Sequence, residues 1–158
     1  MAAAFNPALD LSISRIIKAP RPRVWAAWAD PRVFEQWWIP APALCRVVAM
    51  ELTPGGALET EMSENGGAFG PHLSGCFLSV EPEQRIVFTN ALTGGFRPAE
   101  SPFMTAVVTL ADHPQGTQYA AHVMHKSKAD RDMHAELGFD DGWGTVIGQL
   151  AALLENPA

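Results

Sequence analysis

The sequence has little of what marks membrane-spanning, nucleic-acid-binding or disulfide-linked proteins. No apolar stretch approaches the roughly 20 residues needed to cross a bilayer. Met1 to Asp10 lacks the charged and apolar regions of a secretion signal. The formal charge is -6 without any run of Lys or Arg, which argues against a nucleic-acid partner or a basic membrane-binding patch. We therefore expect a cytoplasmic protein that binds no nucleic acid and inserts in no membrane.

Cysteine is also scarce, and its placement argues against a metal centre. Cys45 and Cys76 are the two cysteines, and they lie inside strand-like segments without a paired metal-binding spacing. They are expected to be small buried side chains in a reducing compartment.

What is present is enough apolar material for one substantial core. The chain has 158 residues, of which 47% are hydrophobic and 18% charged. A chain of this size and composition suits a single domain, predicted over residues 1–158 with a core at about 9–154.

The first part of the chain predicts a strand followed by two short helices. Apolar residues alternate over residues 9–19, and Pro20 ends that strand. Pro22 then suits the first turn of a helix, and Asp30 with Pro31 suits the start of a second one. The aromatic side chains of this helix pair are expected to plug one end of the sheet; they are Trp25, Trp28, Phe34, Trp37 and Trp38.

Six further strands are predicted between these helices and the last thirty residues. Apolar runs bounded by turn residues lie near residues 45–52, 57–63, 72–80, 84–91, 103–111 and 117–125. Because neighbouring runs are joined by short Gly- and Pro-rich turns, the strands are expected to be mostly antiparallel.

The last thirty residues predict one long helix. Ser127 and Asp130 suit its N-terminal cap. Apolar residues then recur at helical spacing to Leu154, interrupted by four glycines. A helix notched in this way is expected to lie in a curved sheet, and such a wrap can leave a cavity between the two.

Several motifs together resemble the START-like (SRPBCC, helix-grip) superfamily, in the branch named for the activator of the heat-shock protein 90 ATPase. The resemblance covers about residues 9–154 and rests on the following segments: Pro20 to Trp28 with Asp30-Pro31, Gln36-Trp37-Trp38, Thr53-Pro54-Gly55-Gly56, Val80 to Thr89, Gly116-Thr117, and Gly138-Phe139 with Gly142-Trp143. It implies an α+β helix-grip fold, in which a seven-stranded antiparallel curved sheet surrounds a long C-terminal helix. Two short helices separate strands 1 and 2.

The resemblance also implies a cavity between that helix and the sheet, which family members use for lipids, hormones, polyketides or aromatic compounds. It implies a homodimer as one assembly. We expect a small apolar or aromatic ligand in the cavity. The candidate walls and orienting groups are Trp37, Trp38, Met62, His72, Phe88, Met104, His122, Met124, Phe139 and Trp143.

The sequence gives less support for a catalytic site or a metal site than for a ligand-binding cavity. His122 and His125 are three apart on a predicted strand, so they point to opposite faces and cannot chelate one ion together. No nucleophile-elbow or phosphate-loop motif occurs. We expect no metal and no cofactor, and no catalytic residue is assigned.

Three functions stay open at this stage. The first is a module that binds a small apolar or aromatic ligand. The second is a cyclase- or hydrolase-like enzyme that moves a proton with a cavity His or acid. The third is an interaction protein that stimulates a chaperone ATPase, although the separate chaperone-binding domain of the eukaryotic co-chaperone is not expected before Leu9.

Overall fold

The computed structural model describes residues 4–155. Its elements follow the predicted order of a strand, two short helices, a series of strands and a helical C-terminus. They are β1 Asp10–Ile17, α1 Arg21–Ala29, α2 Pro31–Phe34, β2 Leu44–Met50, β3 Ala57–Ser63, β4 Gly70–Glu81, β5 Arg85–Thr89, β6 Leu92–Thr93, β7 Arg97–Pro98, β8 Met104–His113, β9 Gly116–His125, α3 Lys128–Glu136 and α4 Phe139–Glu155.

Seven strands form one antiparallel sheet in the order β1-β9-β8-β5-β4-β3-β2. The first strand therefore lies beside the last one, and the pair Ile17 and Thr117 closes that end of the ladder. The predicted α+β helix-grip architecture, with its seven-stranded sheet and two short helices after strand 1, is confirmed.

One face of the sheet packs against α4 and carries the core. Alternation along β8 places Ala106, Val108 and Leu110 on this face, and all three are buried. They meet the buried stripe of α4, which consists of Ile147, Leu150, Ala151 and Leu154.

An aromatic cluster seals the core beneath α1 and α2. The Trp28 ring contacts Phe34, Trp37, Trp38 and Phe88, with ring centroids 5.1–6.0 Å apart. The second short helix ends at Phe34, however, so Trp37 and Trp38 lie in the turns that follow it and not on the helix. Trp38 is only partly buried, whereas Trp37 is completely buried.

The C-terminal region differs from the prediction of one continuous helix. Ser127 caps α3 as expected, because its Oγ accepts a hydrogen bond from the Asp130 N–H. The helix then stops at Leu137, and Gly138 adopts a left-handed φ of +94° before α4 begins. A left-handed residue interrupts the α-helical hydrogen bonds, so the glycine read as a notch is a break between two helices.

Two smaller observations complete the architecture. The long connection after β5 contains the two-stranded ribbon β6-β7, which the sequence did not predict. Within residues 4–155, none of the helices combines the length and the apolar character needed to span a bilayer.

Candidate functional site

A cavity of about 510 Å³ lies where the α3–α4 break faces the sheet. This volume falls within the roughly 300–1,000 Å³ that is typical of small-molecule sites. The walls come from the turn after α2, from β4, from the residue after β5, from the start of β8, and from both C-terminal helices with the break between them. The lining residues are Trp38, Pro40, His72, Leu73, Asn90, Phe103, Met104, His134, Leu137, Gly138, Phe139, Gly142, Trp143 and Val146.

Residues on both sides of the break in the C-terminal helix line part of this space. Gly142 lies one turn into α4, and a Cβ added there would meet no atom within 4 Å. A side chain at this position would therefore occupy the cavity. Leu137 lines the cavity yet is 74% exposed, which places it at the mouth.

Gln149 on α4 holds the opposite wall in place. Its amide Nε2 donates to the carbonyl oxygens of Trp37 and Ile39, each at 3.0 Å, and its Oε1 accepts from the Ala41 N–H at 2.8 Å. These three hydrogen bonds fix the segment after α2 against α4. They thereby position Trp38 and Pro40 as cavity wall.

Five of the ten sequence-predicted ligand residues lie together around this cavity. They are Trp38, His72, Met104, Phe139 and Trp143. Their contact with a ligand stays a prediction, but the fold brings them to one place from four separate segments.

The other five lie away from the cavity lining. Trp37 and Phe88 are completely buried in the core, and Met62 lies on β3 near the sheet edge, opposite Cys45 of β2. His122 and Met124 share the outer face of β9, because the residues between and beside them are the buried ones. On that face His122 pairs with Asp10 at 2.8 Å and packs against the Phe5 ring.

Two polar lining residues were missed by sequence reasoning as ligand contacts. Asn90 follows β5, and His134 lies near the end of α3. Asn90 lies near the end of the strand predicted at 84–91, and no local signal could select it as a ligand contact. His134 could have been selected had the break at Gly138 been foreseen, because the break turns the end of α3 toward the sheet.

His134 forms a pair with His125 of β9. His134 Nδ1 lies 2.8 Å from His125 Nε2. His125 Nδ1 in turn lies 2.8 Å from the Leu9 carbonyl oxygen. Three aromatic rings surround His134 at centroid distances of 5.0–6.5 Å, namely Phe103, Phe139 and Trp143. Burial among them, together with the neighbouring His125, lowers the pKa of His134 to about 4.

Three further polar groups belong to the cavity wall. Asn90 Oδ1 accepts from the backbone N–H groups of Phe103 and Met104, so its amide nitrogen is left as a donor. Trp38 Nε1 is enclosed without a hydrogen-bond partner among the described residues. His72 Nδ1 bonds the Thr60 hydroxyl at 2.9 Å, and partial desolvation lowers the pKa of His72.

The described lining is uncharged at neutral pH. It includes no carboxylate, lysine, arginine or cysteine side chain. Across residues 4–155, no cluster of three or more His, Cys, Asp or Glu side chains is arranged to hold a metal ion. The chemistry available to a guest is therefore apolar contact, aromatic stacking and neutral hydrogen bonding.

Comparisons with known proteins found one matching family model and several similar structures. The family model for Activator of Hsp90 ATPase homolog 1-like protein matches residues 18–155. A crystal structure of a Nitrosomonas europaea protein is 40% identical with a TM-score of 0.87, and the match covers 96% of this chain and 97% of that one. An Arthrobacter aurescens protein solved by NMR is 27% identical with a TM-score of 0.80, over 96% and 88% of the two chains.

A more distant likeness concerns the fold alone. An AHSA1-like protein from Aeromonas hydrophila is 20% identical with a TM-score of 0.67, over 93% of this chain and 92% of that one. A search of curated proteins found no match.

Proposed function

The chain belongs to the Activator of Hsp90 ATPase homolog 1-like family, and we propose that it uses its cavity to bind a small, neutral, largely aromatic ligand. The observation that carries this proposal is the cavity itself. It has a volume of about 510 Å³, walls of aromatic and aliphatic side chains, and a few neutral polar groups.

The charge of the lining supports a neutral guest. An anion or cation would lose its hydration without gaining an opposite charge from the described lining residues, and that desolvation is costly. An apolar ring system would instead gain burial against Trp143, Phe139 and Met104.

The Trp38 N–H is a buried donor at the border of the cavity. Trp28 donates to Tyr119, and Trp37 donates to the Ala27 carbonyl, each at 3.0 Å. Trp38 has no such partner among the described residues. A buried donor without a partner costs roughly 1–3 kcal/mol, and a ligand oxygen would recover part of that cost if the Trp38 ring turned its N–H into the cavity.

The side chains that line the cavity favour binding over catalysis. A hydrolytic or cyclising site needs a nucleophile or a well-matched base, and the only titratable side chains in the described lining are His72 and His134. With a pKa of about 4, His134 is a weak base at neutral pH. It is better suited to accept a hydrogen bond than to remove a proton.

The experiment that tests the proposal places a larger side chain in the cavity. We expect Gly142→Leu to lower the affinity for neutral two- and three-ring aromatic probes at least tenfold, because its side chain would enter the cavity at an unobstructed Cβ position. Leucine is also the better helix former at this position, so the thermal midpoint is not expected to fall. Affinity is measured by isothermal titration calorimetry.

Gly148→Ala on the same helix is the matched control. Gly148 is not part of the cavity lining, and its added Cβ would lie 3.5 Å from the flexible end of Arg15. This variant should bind like the wild type. The proposal fails if no aromatic probe binds the wild-type protein, or if Gly142→Leu binds as well as the control.

A further inference from the structure

We propose that the His125–His134 pair makes the cavity select ligands that carry a neutral O–H or N–H donor, which the unprotonated Nε2 of His134 accepts. This inference rests on the proposed ligand-binding function and specifies the chemistry of the ligand. It follows from counting protons along one chain of hydrogen bonds.

The series of hydrogen bonds begins at a carbonyl oxygen, which can only accept a hydrogen bond. The Leu9 carbonyl oxygen lies 2.8 Å from His125 Nδ1, so that nitrogen must carry a proton. In a neutral His125 the other nitrogen, Nε2, is then an acceptor. It lies 2.8 Å from His134 Nδ1, which must therefore donate, and a neutral His134 is left with a bare Nε2.

The surroundings keep the His134 imidazole neutral. Phe103 packs against both rings, and Phe139 and Trp143 pack against His134. The nearby buried carboxylates are bound elsewhere: Asp10 pairs with His122, and Asp130 pairs with Lys126. Desolvation and the neighbouring imidazole accordingly lower the pKa of His134 to about 4.

The bare nitrogen is available to a guest. His134 lines the cavity, and its Nε2 has no hydrogen-bond partner among residues 4–155. Unlike Trp38 Nε1, it is not enclosed by protein atoms. Asn90 offers a hydrogen-bond donor instead, because its side-chain oxygen already accepts from two backbone N–H groups. His134 is thus the fixed side-chain acceptor of the site, and His125 is the positioning residue that fixes it.

Three rigid tricyclic compounds of one shape test the selection. Carbazole carries an N–H, dibenzofuran replaces it with an acceptor oxygen, and fluorene replaces it with a methylene group. We expect the wild-type protein to bind carbazole about tenfold more tightly than either analogue, as one buried neutral hydrogen bond implies. Equal affinity for the three overturns the inference and leaves the proposed function standing. Absence of binding by all three overturns both.

Two variants of His134 distinguish its role as a hydrogen-bond acceptor for the ligand from its hydrogen bond to His125. His134→Asn can still donate to His125 Nε2 from the place of Nδ1 but offers no acceptor at Nε2. His134→Gln reverses this, because its longer side chain brings an amide oxygen to the place of Nε2. The carbazole preference should vanish in the first variant and persist in the second. A preference that survives His134→Asn overturns the inference.

A measurement on the free wild-type protein keeps the test independent of folding in the variants. A long-range ¹H–¹⁵N correlation spectrum at pH 7 distinguishes protonated from bare imidazole nitrogens. We expect His134 to be protonated at Nδ1 only, and His125→Phe to release this tautomer and reduce the carbazole preference. A proton on Nε2 of His134 in the wild-type protein contradicts the inference.

Discussion

At the residue scale, three tryptophans packed in one cluster differ in what their N–H groups meet. Trp28 and Trp37 reach buried acceptors, whereas Trp38, at the border of the cavity, reaches none among the described residues. A sequence does not distinguish these three cases, because each partner comes from a distant or irregular segment. The residue type could be predicted to be buried, but its hydrogen bonding depends on the assembled fold.

The Trp28–Tyr119 bond gives a prediction about stability. Tyr119→Phe removes the acceptor and leaves the Trp28 N–H buried without a partner. We expect the free energy of unfolding to fall by about 1–3 kcal/mol, measured by urea denaturation. A loss below about 0.5 kcal/mol would mean that the hydroxyl does not satisfy Trp28.

His134 gives a prediction about pH. Its pKa is about 4 in the folded protein and near 6.5 in the unfolded chain, so between these values the unfolded chain binds more protons. Stability is therefore full above about pH 6.5 and falls as the pH drops toward 4. After allowance for solvent screening, we expect a loss on the order of 1–2 kcal/mol.

The comparison variant for this effect is His134→Asn, which does not titrate in this range. Urea denaturation from pH 7 to pH 4 should show a shallower decline in the variant than in the wild type. Parallel declines in the two proteins would contradict the assigned pKa.

At the element scale, the seven strands were predicted well and the C-terminal helix was predicted only in part. Alternation and turn residues mark each strand locally, as in β9, where every second residue is buried. Apolar residues recur at helical spacing on both sides of Gly138, so periodicity alone favoured one helix. Only the left-handed φ at that glycine reveals the break, and Leu137 leaves the helix at the mouth of the cavity.

Two glycine substitutions with opposite outcomes test this view of the break. Gly138→Ala forces a left-handed conformation on a residue with a Cβ, which should cost about 1–2 kcal/mol. Gly148→Ala lies inside α4 with tolerable contacts and should stabilise the protein by up to about 1 kcal/mol. Thermal unfolding of both variants measures the signs. Stabilisation by Gly138→Ala would show that the two helices are continuous in solution.

At the scale of the whole molecule, the cavity forms because a curved sheet and a broken helix do not fill the space between them. The sequence predicted a cavity between a curved sheet and one continuous helix, and it named five of the fourteen lining residues. It misplaced His122 and Met124 because period-two alternation defines two faces of a strand without saying which one meets the helix. Phe88 lies on the correct face, since it pairs with Ala106, but it is completely buried beneath the aromatic cluster.

The most direct test of ligand binding in this cavity is a methyl NMR titration with [¹³C-methyl]methionine protein and carbazole. Met104 lines the cavity, whereas Met62 and Met124 lie outside its lining, so the three methyl signals report on different parts of one molecule. We expect saturable shifts of the Met104 signal with Met62 and Met124 unchanged. Saturable shifts at Met62 or Met124 with Met104 unmoved, or no shift at any of the three, would contradict the account.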